Sequence, residues 1–171
     1  FVGRLAPEKN VRILAELAKR EDIQVVIIGD GPDRQELMDL MPGAHFTGKL
    51  HGAALATALA SLDVLVASGE LETFCQVIQE AMASGVPVVA PEIGGPRDLV
   101  THEQTGLFYA PGDNAGMEDQ VHRLLNDKGL RTYVIANALT QVSTRSWDKL
   151  TDELIQHYRS VSHRLGLREA A

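Results

Sequence analysis

Short apolar runs alternate along this chain with longer segments in which apolar residues recur every three or four positions. A short apolar run between turn residues predicts a buried strand, and the longer spacing predicts a helix with one buried face. Strands are predicted at 1–3, 24–28, 44–47 and 62–67, in the run that ends at 89, and at 106–109. Helices are predicted at 11–18, 33–40, 52–61, 74–85, within 94–100, and at 114–126, 128–141 and 146–165.

Strands and helices that alternate in this way require a parallel sheet, because right-handed crossovers carry each helix across one face of it. The predicted fold class is α/β, a doubly wound Rossmann-like sheet of about six strands in the order 3-2-1-4-5-6, followed by C-terminal helices. In that order a ligand-binding crevice lies between strands 1 and 4, beyond their carboxyl ends. Residues 1–145 are predicted to form this domain, and residues 146–171 an amphipathic helix and tail.

Charged residues follow the two strands that border the predicted crevice. Arg4 and Lys9 come after the first strand, and Glu72 opens the segment 72–75 after the fourth. A pyrophosphate needs about two positive charges at hydrogen-bond distance, and Arg4 and Lys9 could supply them. A single Lys or Arg at the start of a helix is most often an ordinary surface charge, so each residue alone is weak evidence for a site. The strand order brings the two loops together, so a phosphate site is predicted there.

Composition excludes several other classes of protein. The formal charge of −7 over 171 residues disfavours a general nucleic-acid binder, since such proteins need clustered Lys and Arg. No apolar run approaches the roughly 18 residues of a membrane span and no signal peptide is recognisable, so a cytoplasmic location is expected. The single cysteine excludes an internal disulfide, and the six histidines lack metal-ligand spacing, so no metal site is expected.

The most informative stretch is 68–89, which combines a strand, a loop, a helix and a strand. Glu72 lies in its loop and Glu80 in its helix, with seven residues between them. At about 100° per residue, Glu80 lies at the edge of the apolar stripe of the helix. The alternative is that neither carboxylate binds a ligand. Glu72 would then be an ordinary loop acid, and Glu80 would lie on a solvated helix face. Beside a helix N-terminus, whose free N–H groups attract anions, they form a candidate polyol and phosphate site.

The run ETFCQVIQEAMASGVPVV, from Glu72 to Val89, resembles the E-x7-E signature of retaining glycosyltransferases of the GT-B fold, family 4. The sequence ETFCQ followed by SGVPVVAPEIGGPRDLV is similar to that of bacterial GDP-mannose-dependent α-mannosyltransferases, which decorate cell-envelope lipids. The resemblance spans most of the chain and implies the donor-nucleotide-binding half of a GT-B fold. The chain departs from the family at Thr73 and Cys75, where glycines are frequent, although both replacements are small.

The resemblance implies roles for particular residues. In this family the Arg and Lys of G-R-L-x-x-x-K hold the nucleotide diphosphate, and these correspond to Arg4 and Lys9. Glu80 would accept hydrogen bonds from the ribose hydroxyls, and Glu72 from hydroxyls of the donor sugar. A carboxylate suits a diol because it has only hydrogen-bond acceptors. Arg4, Lys9 and Glu72 are the predicted catalytic residues. The predicted donor-binding residues are Gly3, Arg4, Lys9, Gly48, Lys49, Leu50, Glu72, Thr73, Phe74, Cys75, Gln76, Val77 and Glu80.

Some of these residues also have structural interpretations. Phe74 is compatible with core packing as well as with ligand contact. Cys75 is predicted to be a small buried thiol, since its sequence neighbours offer no base that would make it a nucleophile. Gly94, Gly95 and Arg97 are compatible with a crevice wall and equally with a turn that carries an exposed Arg. The backbone around 47–50 is expected to contact the base and leaves little trace in sequence.

The implied reaction is transfer of mannose from GDP-mannose to a lipid or glycan hydroxyl with retention, without a cofactor, a metal or a protein nucleophile. Because the acceptor domain is absent, this fragment is expected to bind the nucleotide sugar without turnover. A membrane lipid acceptor would be reached through that missing domain, at the inner face of the membrane. Two alternatives are half of a nucleotide-sugar epimerase of the same architecture and a non-catalytic flavodoxin-like binding module.

The last predicted helix has a long apolar stripe, which predicts self-association if nothing covers it. The stripe consists of Trp147, Leu150, Leu154, Tyr158, Val161 and Leu165.

Overall fold

The structure is a computed structural model that describes residues 1–145 and 147–164. Within this part of the chain the strands are β1 (Val26–Ile28), β2 (His45–Gly48), β3 (Leu65–Val66), β4 (Val88–Pro91) and β5 (Leu107–Tyr109). The α-helices are α1 (Arg34–Leu40), α2 (Gly52–Ala60), α3 (Gln76–Ala83), α4 (Pro96–Leu99), α5 (Asn114–Asn126), α6 (Lys128–Ser143) and α7 (Trp147–Arg164). Three short 3-10 helices precede them, at Pro7–Lys9, Val11–Ala15 and Leu17–Lys19.

The strands form two parallel groups. In the N-terminal group, β1 pairs with β2 and also with Val2, which forms a single bridge to Ile28. In the C-terminal group, β4 lies between β3 and β5. The α/β class and the parallel pairing are therefore confirmed. The predicted first strand is reduced to the bridge at Val2, so the six-strand order is seen only within each group.

We call the boundary between Val2 and β3 the seam. No ladder of backbone hydrogen bonds spans it among the residues described. Phe1 and Val66 instead belong to the same buried cluster, so apolar packing holds the two groups side by side. The first and fourth predicted strands therefore correspond to neighbouring segments, Val2 and β3. Side-chain packing joins them in place of the predicted backbone pairing.

Both faces of the C-terminal group are buried. Val66 and Val89 belong to one core cluster, whereas their chain neighbours Leu65 and Val88 belong to the other. Because successive side chains of a strand point to opposite faces, this division shows that helices cover both faces of the sheet. Helix α5 contributes to the first cluster and α3 to the second. This is the doubly wound arrangement predicted from the alternation of elements.

The segment predicted as one helix at 11–18 forms two of the 3-10 helices instead. Three residues per turn place Val11, Leu14 and Leu17 in one row, and all three are buried. Ala15 and Ala18, which were also predicted to face inward, are half-buried and pack against the same core cluster. The prediction of one continuous helix was therefore wrong, because a stripe spaced by three fits short 3-10 helices as well.

Helix α7 has the apolar residues that were predicted, and those described are exposed. Leu150 and Leu154 are 40% and 51% exposed, and Tyr158 and Val161 are 66% and 52% exposed. The Trp147 side chain and Leu165 lie outside the description. No helix within 1–145 or 147–164 combines the length and the apolar content that crossing a membrane requires.

Candidate functional site

The loops that follow the N-terminal segment and β1 contact each other through their backbones. The Gly3 N–H donates to the Ile28 carbonyl at 3.0 Å, and the Leu5 N–H donates to the Asp30 carbonyl at 2.9 Å. A Cβ atom at Gly31 would overlap the Leu5 carbonyl oxygen, so this contact requires glycine. The loop that starts at Gly3 is therefore positioned by main-chain atoms.

Lys9 lies in the first 3-10 turn, and its side chain crosses the seam. Its ammonium donates to the carboxylate of Glu72, which lies 63 positions further along the chain. The Lys9 and Glu72 side chains are only 27% and 16% exposed. The Ser68 hydroxyl also crosses the seam and donates to the Lys9 carbonyl at 2.6 Å. The structure thus brings Lys9 to Glu72 at the predicted crevice, while their roles toward a ligand stay predictions.

Helix α3 begins at Gln76 and not near Phe74, because Cys75 adopts a left-handed backbone with φ 56° and ψ 60°. A right-handed helix cannot contain such a residue, so Phe74 belongs to the preceding loop. The predicted helix start was wrong by about one half turn. The left-handed conformation costs an L-residue about 1 kcal/mol, which explains why this position favours glycine in the family that the chain resembles.

The loop 70–75 is supported by two neighbouring loops. The Gly95 N–H donates to the Glu72 carbonyl at 2.7 Å, and the Glu70 carboxylate accepts from the Gly112 N–H at 2.9 Å. Gly95 therefore belongs to a turn that supports the acidic loop, and Arg97 behind it is exposed. Sequence reasoning missed Glu70, since nothing in the pattern distinguishes it from other loop acids.

Two concavities meet at the start of the chain and share Val2 and Gly3. The smaller has a volume of about 180 Å³ and lies on the seam. Its predicted site residues are Gly3, Lys9, Glu72, Cys75, Gln76 and Val77, and Ser68 and Gly69 line it without having been predicted. The larger has a volume of about 520 Å³, and its predicted site residues are Gly3, Arg4, Lys49 and Leu50.

Four predicted residues line neither concavity: Gly48, Thr73, Phe74 and Glu80. Phe74 is 51% exposed, so it is not part of the core. Glu80 is exposed on α3 four residues after Gln76, which places it on the same helix face about 6 Å further from the crevice.

Arg4 lines the larger concavity and, unlike Lys9, does not line the concavity on the seam. Its side chain is 67% exposed and pairs with Glu8 at 3.7 Å. An exposed pair of this kind contributes little to stability. Arg4 is therefore free to reorient toward a ligand at modest cost, whereas Lys9 would first have to share or exchange its contact with Glu72.

The thiol of Cys75 is buried close to the ion pair of Lys9 and Glu72. Burial raises the pKa of Cys75 to about 11, the negative charge of Glu72 raises it further, and Lys9 partly opposes them. The thiol is therefore neutral near pH 7, which confirms the prediction that Cys75 is a small buried thiol. No group of metal-binding side chains is found in the described part of the chain.

A third concavity, of about 320 Å³, lies at the opposite end of the strands. It is lined by residues that precede β1 and β3, such as Ile23 and Leu62, and contains none of the predicted site residues. Because ligands of doubly wound sheets bind beyond the carboxyl ends of the strands, the two concavities at Gly3 are the candidate site.

Residues 1–141 match the family model described as glycosyl transferases group 1. The chain belongs to this family. It is 54% identical over 171 residues to the GDP-mannose-dependent alpha-mannosyltransferase of Mycolicibacterium smegmatis, covering 99% of this chain and 45% of that protein. It is 50% identical to the protein of the same name from Mycobacterium tuberculosis, covering 96% and 43%. This glycosyl transferase domain thus spans less than half the length of these curated relatives.

Solved structures support the same assignment. The Anabaena protein HepE in complex with UDP superposes with a TM-score of 0.82 at 26% identity, covering 93% of this chain and 47% of that one. Sucrose-phosphate synthase from Thermosynechococcus elongatus superposes with a TM-score of 0.83 at 26% identity, covering 95% and 45%. The group 1 domain described here therefore has the fold of one half of these glycosyltransferases.

Proposed function

We propose that this domain binds the nucleotide sugar of a retaining α-mannosyltransferase that uses GDP-mannose. The observation that carries the proposal is the meeting of Lys9 and Glu72 across the seam, in a chain 54% identical to a GDP-mannose-dependent α-mannosyltransferase. In this proposal Arg4 and Lys9 bind the diphosphate, Glu72 accepts from hydroxyls of mannose, and Glu80 accepts from the ribose.

The geometry supports this division of roles. The seam concavity presents a cation, an acid and the N-terminus of α3, a set of groups that suits a sugar diphosphate. The adjoining larger concavity is lined mainly by glycines and aliphatic residues, among them Gly3 and Leu50, which suits a nucleoside. Charge that develops on the departing diphosphate would be stabilised by Lys9 and Arg4, an electrostatic contribution of about 3 kcal/mol in comparable sites.

The nucleotide base is proposed from the relatives. HepE, at 26% identity, was solved with UDP, whereas the relatives above 45% identity are named for GDP-mannose. The relatives named for GDP-mannose are about twice as similar in sequence to this chain as HepE is, and they support guanine as the base. GDP is therefore expected to bind more tightly than UDP or ADP.

Calorimetry of the chain with GDP, UDP and ADP in parallel tests this proposal. Arg4→Ala is expected to weaken GDP binding about tenfold, since it removes a charged partner of the diphosphate. Arg20→Ala is the matched control, because Arg20 is also exposed and paired with a nearby acid, Asp22. Absence of binding to all three nucleotides would overturn the proposed function. Equal affinity for the three would overturn the preference for guanine alone.

Transfer itself would need the remainder of the enzyme, since the chain covers 45% of its relative. We infer that the domain alone binds the donor without transferring mannose, and that a lipid or glycan acceptor, including a lipid at the cytoplasmic face of a membrane, is reached through the other half. Mannosyl transfer by this chain alone would contradict the inference. Product analysis on a two-domain enzyme would separate transfer from the epimerase alternative.

The exposed face of α7 supports a second proposal, that the chain self-associates through it when the other half is missing. Four of its apolar side chains, Leu150, Leu154, Tyr158 and Val161, are 40% to 66% exposed. Sedimentation is expected to show a concentration-dependent dimer that is weakened by Leu154→Lys. A strict monomer at high concentration would refute it.

A further inference from the structure

Ser68 lies directly after β3 and Ala67, and it contacts Lys9 across the seam. It is fully buried, at 0% exposure. Its hydroxyl donates to the Lys9 carbonyl, although the two residues are 59 positions apart. No backbone hydrogen bond crosses the seam among the residues described, so the Lys9 main chain is held against the C-terminal group by this hydroxyl.

The next residue, Gly69, lies close to Glu72 and to the backbone that precedes Lys9. A Cβ atom at Gly69 would lie 2.8 Å from the Glu72 carboxylate and 3.3 Å from the Glu8 carbonyl. The first distance is too short for a side chain, so glycine allows Glu72 and the residue before Lys9 to approach this point closely. Ser68 and Gly69 together therefore allow the backbone around Lys9 to lie close to Glu72.

We propose that Ser68 is a positioning residue for Lys9, whose hydroxyl fixes the Lys9 backbone so that the ammonium lies in the crevice. The proposal rests on the proposed function, in which Lys9 binds the donor diphosphate. Ser68 does not bind the diphosphate directly, because its one hydrogen is used on the Lys9 carbonyl and its remaining lone pairs cannot donate to an anion. Displacement of a charged group by about 1 Å can cost two orders of magnitude in function.

The test compares GDP with GMP as ligands of the 171-residue chain, by calorimetry. GMP lacks the β-phosphate, so the ratio of the two affinities measures what the diphosphate contributes to binding. Ser68→Ala is expected to lower this ratio about tenfold and to leave GMP binding nearly unchanged. A merely structural role for Ser68 would weaken both ligands alike.

A double variant tests whether Ser68 acts through Lys9. Lys9→Met is expected to lower the GDP-to-GMP ratio at least as much as Ser68→Ala does. Adding Ser68→Ala to Lys9→Met should leave the ratio where Lys9→Met alone puts it, since two residues that act through one group are not additive. A further fall in the double variant would overturn the proposal.

Ser61→Ala is the matched control. It removes another hydroxyl-to-carbonyl hydrogen bond of 2.6 Å, at the end of α2, from a residue that lines neither concavity at Gly3, and should not change the ratio. Ser68→Gly, which also lacks the hydroxyl, replaces Ser68→Ala if that variant does not fold. An unchanged ratio, or an equal loss for GDP and GMP, overturns the positioning role. A wild-type chain that binds no nucleoside diphosphate overturns the proposed function instead.

Discussion

The two sides of the seam present opposite charges to the crevice, and they hold them in different ways. On the N-terminal side, the loop that carries Arg4 and Lys9 is clamped by backbone hydrogen bonds to Ile28 and Asp30. On the C-terminal side, the loop 70–75 is held mainly by side chains and isolated N–H groups. The cationic loop is therefore positioned by main-chain hydrogen bonds, whereas the position of the acidic loop depends on the side chains around it.

The difference extends to the titrating groups. Two buried groups of the C-terminal side have raised pKa values: Cys75 through burial and then Glu72, and Tyr109 through burial and then Glu70. Both are neutral near pH 7 and would become buried anions at alkaline pH. The C-terminal side is therefore expected to respond to alkaline pH more strongly than the N-terminal side.

The largest effect is expected where the main-chain clamp is broken. Gly31→Ala would force a Cβ atom into the Leu5 carbonyl, and neither backbone can yield easily, so the free energy of unfolding should fall by about 3 kcal/mol or more. Urea unfolding measures this.

Gly112→Ala is the control for that substitution. Gly112 has φ 75° and open space around it, so the substitution should cost only about 1 kcal/mol of backbone strain. Similar losses in the two variants would show that the clamp contributes little.

An intermediate effect is expected from alkaline pH. Cys75 has an ordinary pKa of 9.0, which the fold raises to about 11, so the unfolded chain releases this proton first. Stability should be unaffected by this group below pH 9 and should fall by about 1.4 kcal/mol per pH unit at most as pH rises from 9 toward 11. Urea unfolding from pH 8 to 10.5 should therefore show a shallower decline for Cys75→Ala.

Hydrogen exchange at pH 10 should also distinguish the two strand groups. The backbone amides of β3 and β4 are expected to exchange before those of β1 and β2. Identical slopes for wild type and Cys75→Ala would contradict the assignment of the decline to this thiol.

The smallest effect is expected at the ion pair. Glu72→Gln should tighten GDP binding about two- to fivefold, because Lys9 no longer has a carboxylate to exchange for the diphosphate. GDP-mannose should gain less, since Glu72 is proposed to accept from the sugar. Glu70→Gln is the control, because Glu70 bonds to the Gly112 N–H and not to Lys9. Weaker GDP binding in Glu72→Gln would show that the carboxylate helps to position Lys9 rather than to compete for it.

Local patterns in the sequence determined much of the fold. The stop of α3 near Gly85 and the parallel pairing of β4 with β5 were predicted, because periodicity and turn residues depend on residues close together in the chain. The resemblance of 72–89 to an E-x7-E motif also pointed to the correct family. At 11–18 the same local reasoning failed, since spacings of three and four overlap.

The assembly of the candidate site depends on tertiary contacts that the sequence does not reveal. The left-handed Cys75 is set by packing, and the contact of Ser68 with Lys9 joins residues 59 positions apart. Such contacts depend on how the two strand groups pack, and no local pattern records a hydroxyl that bonds to a distant carbonyl. The sequence determined which charged residues lie near the crevice. The packing of the two strand groups at the seam determined that Lys9 and Glu72 contact each other.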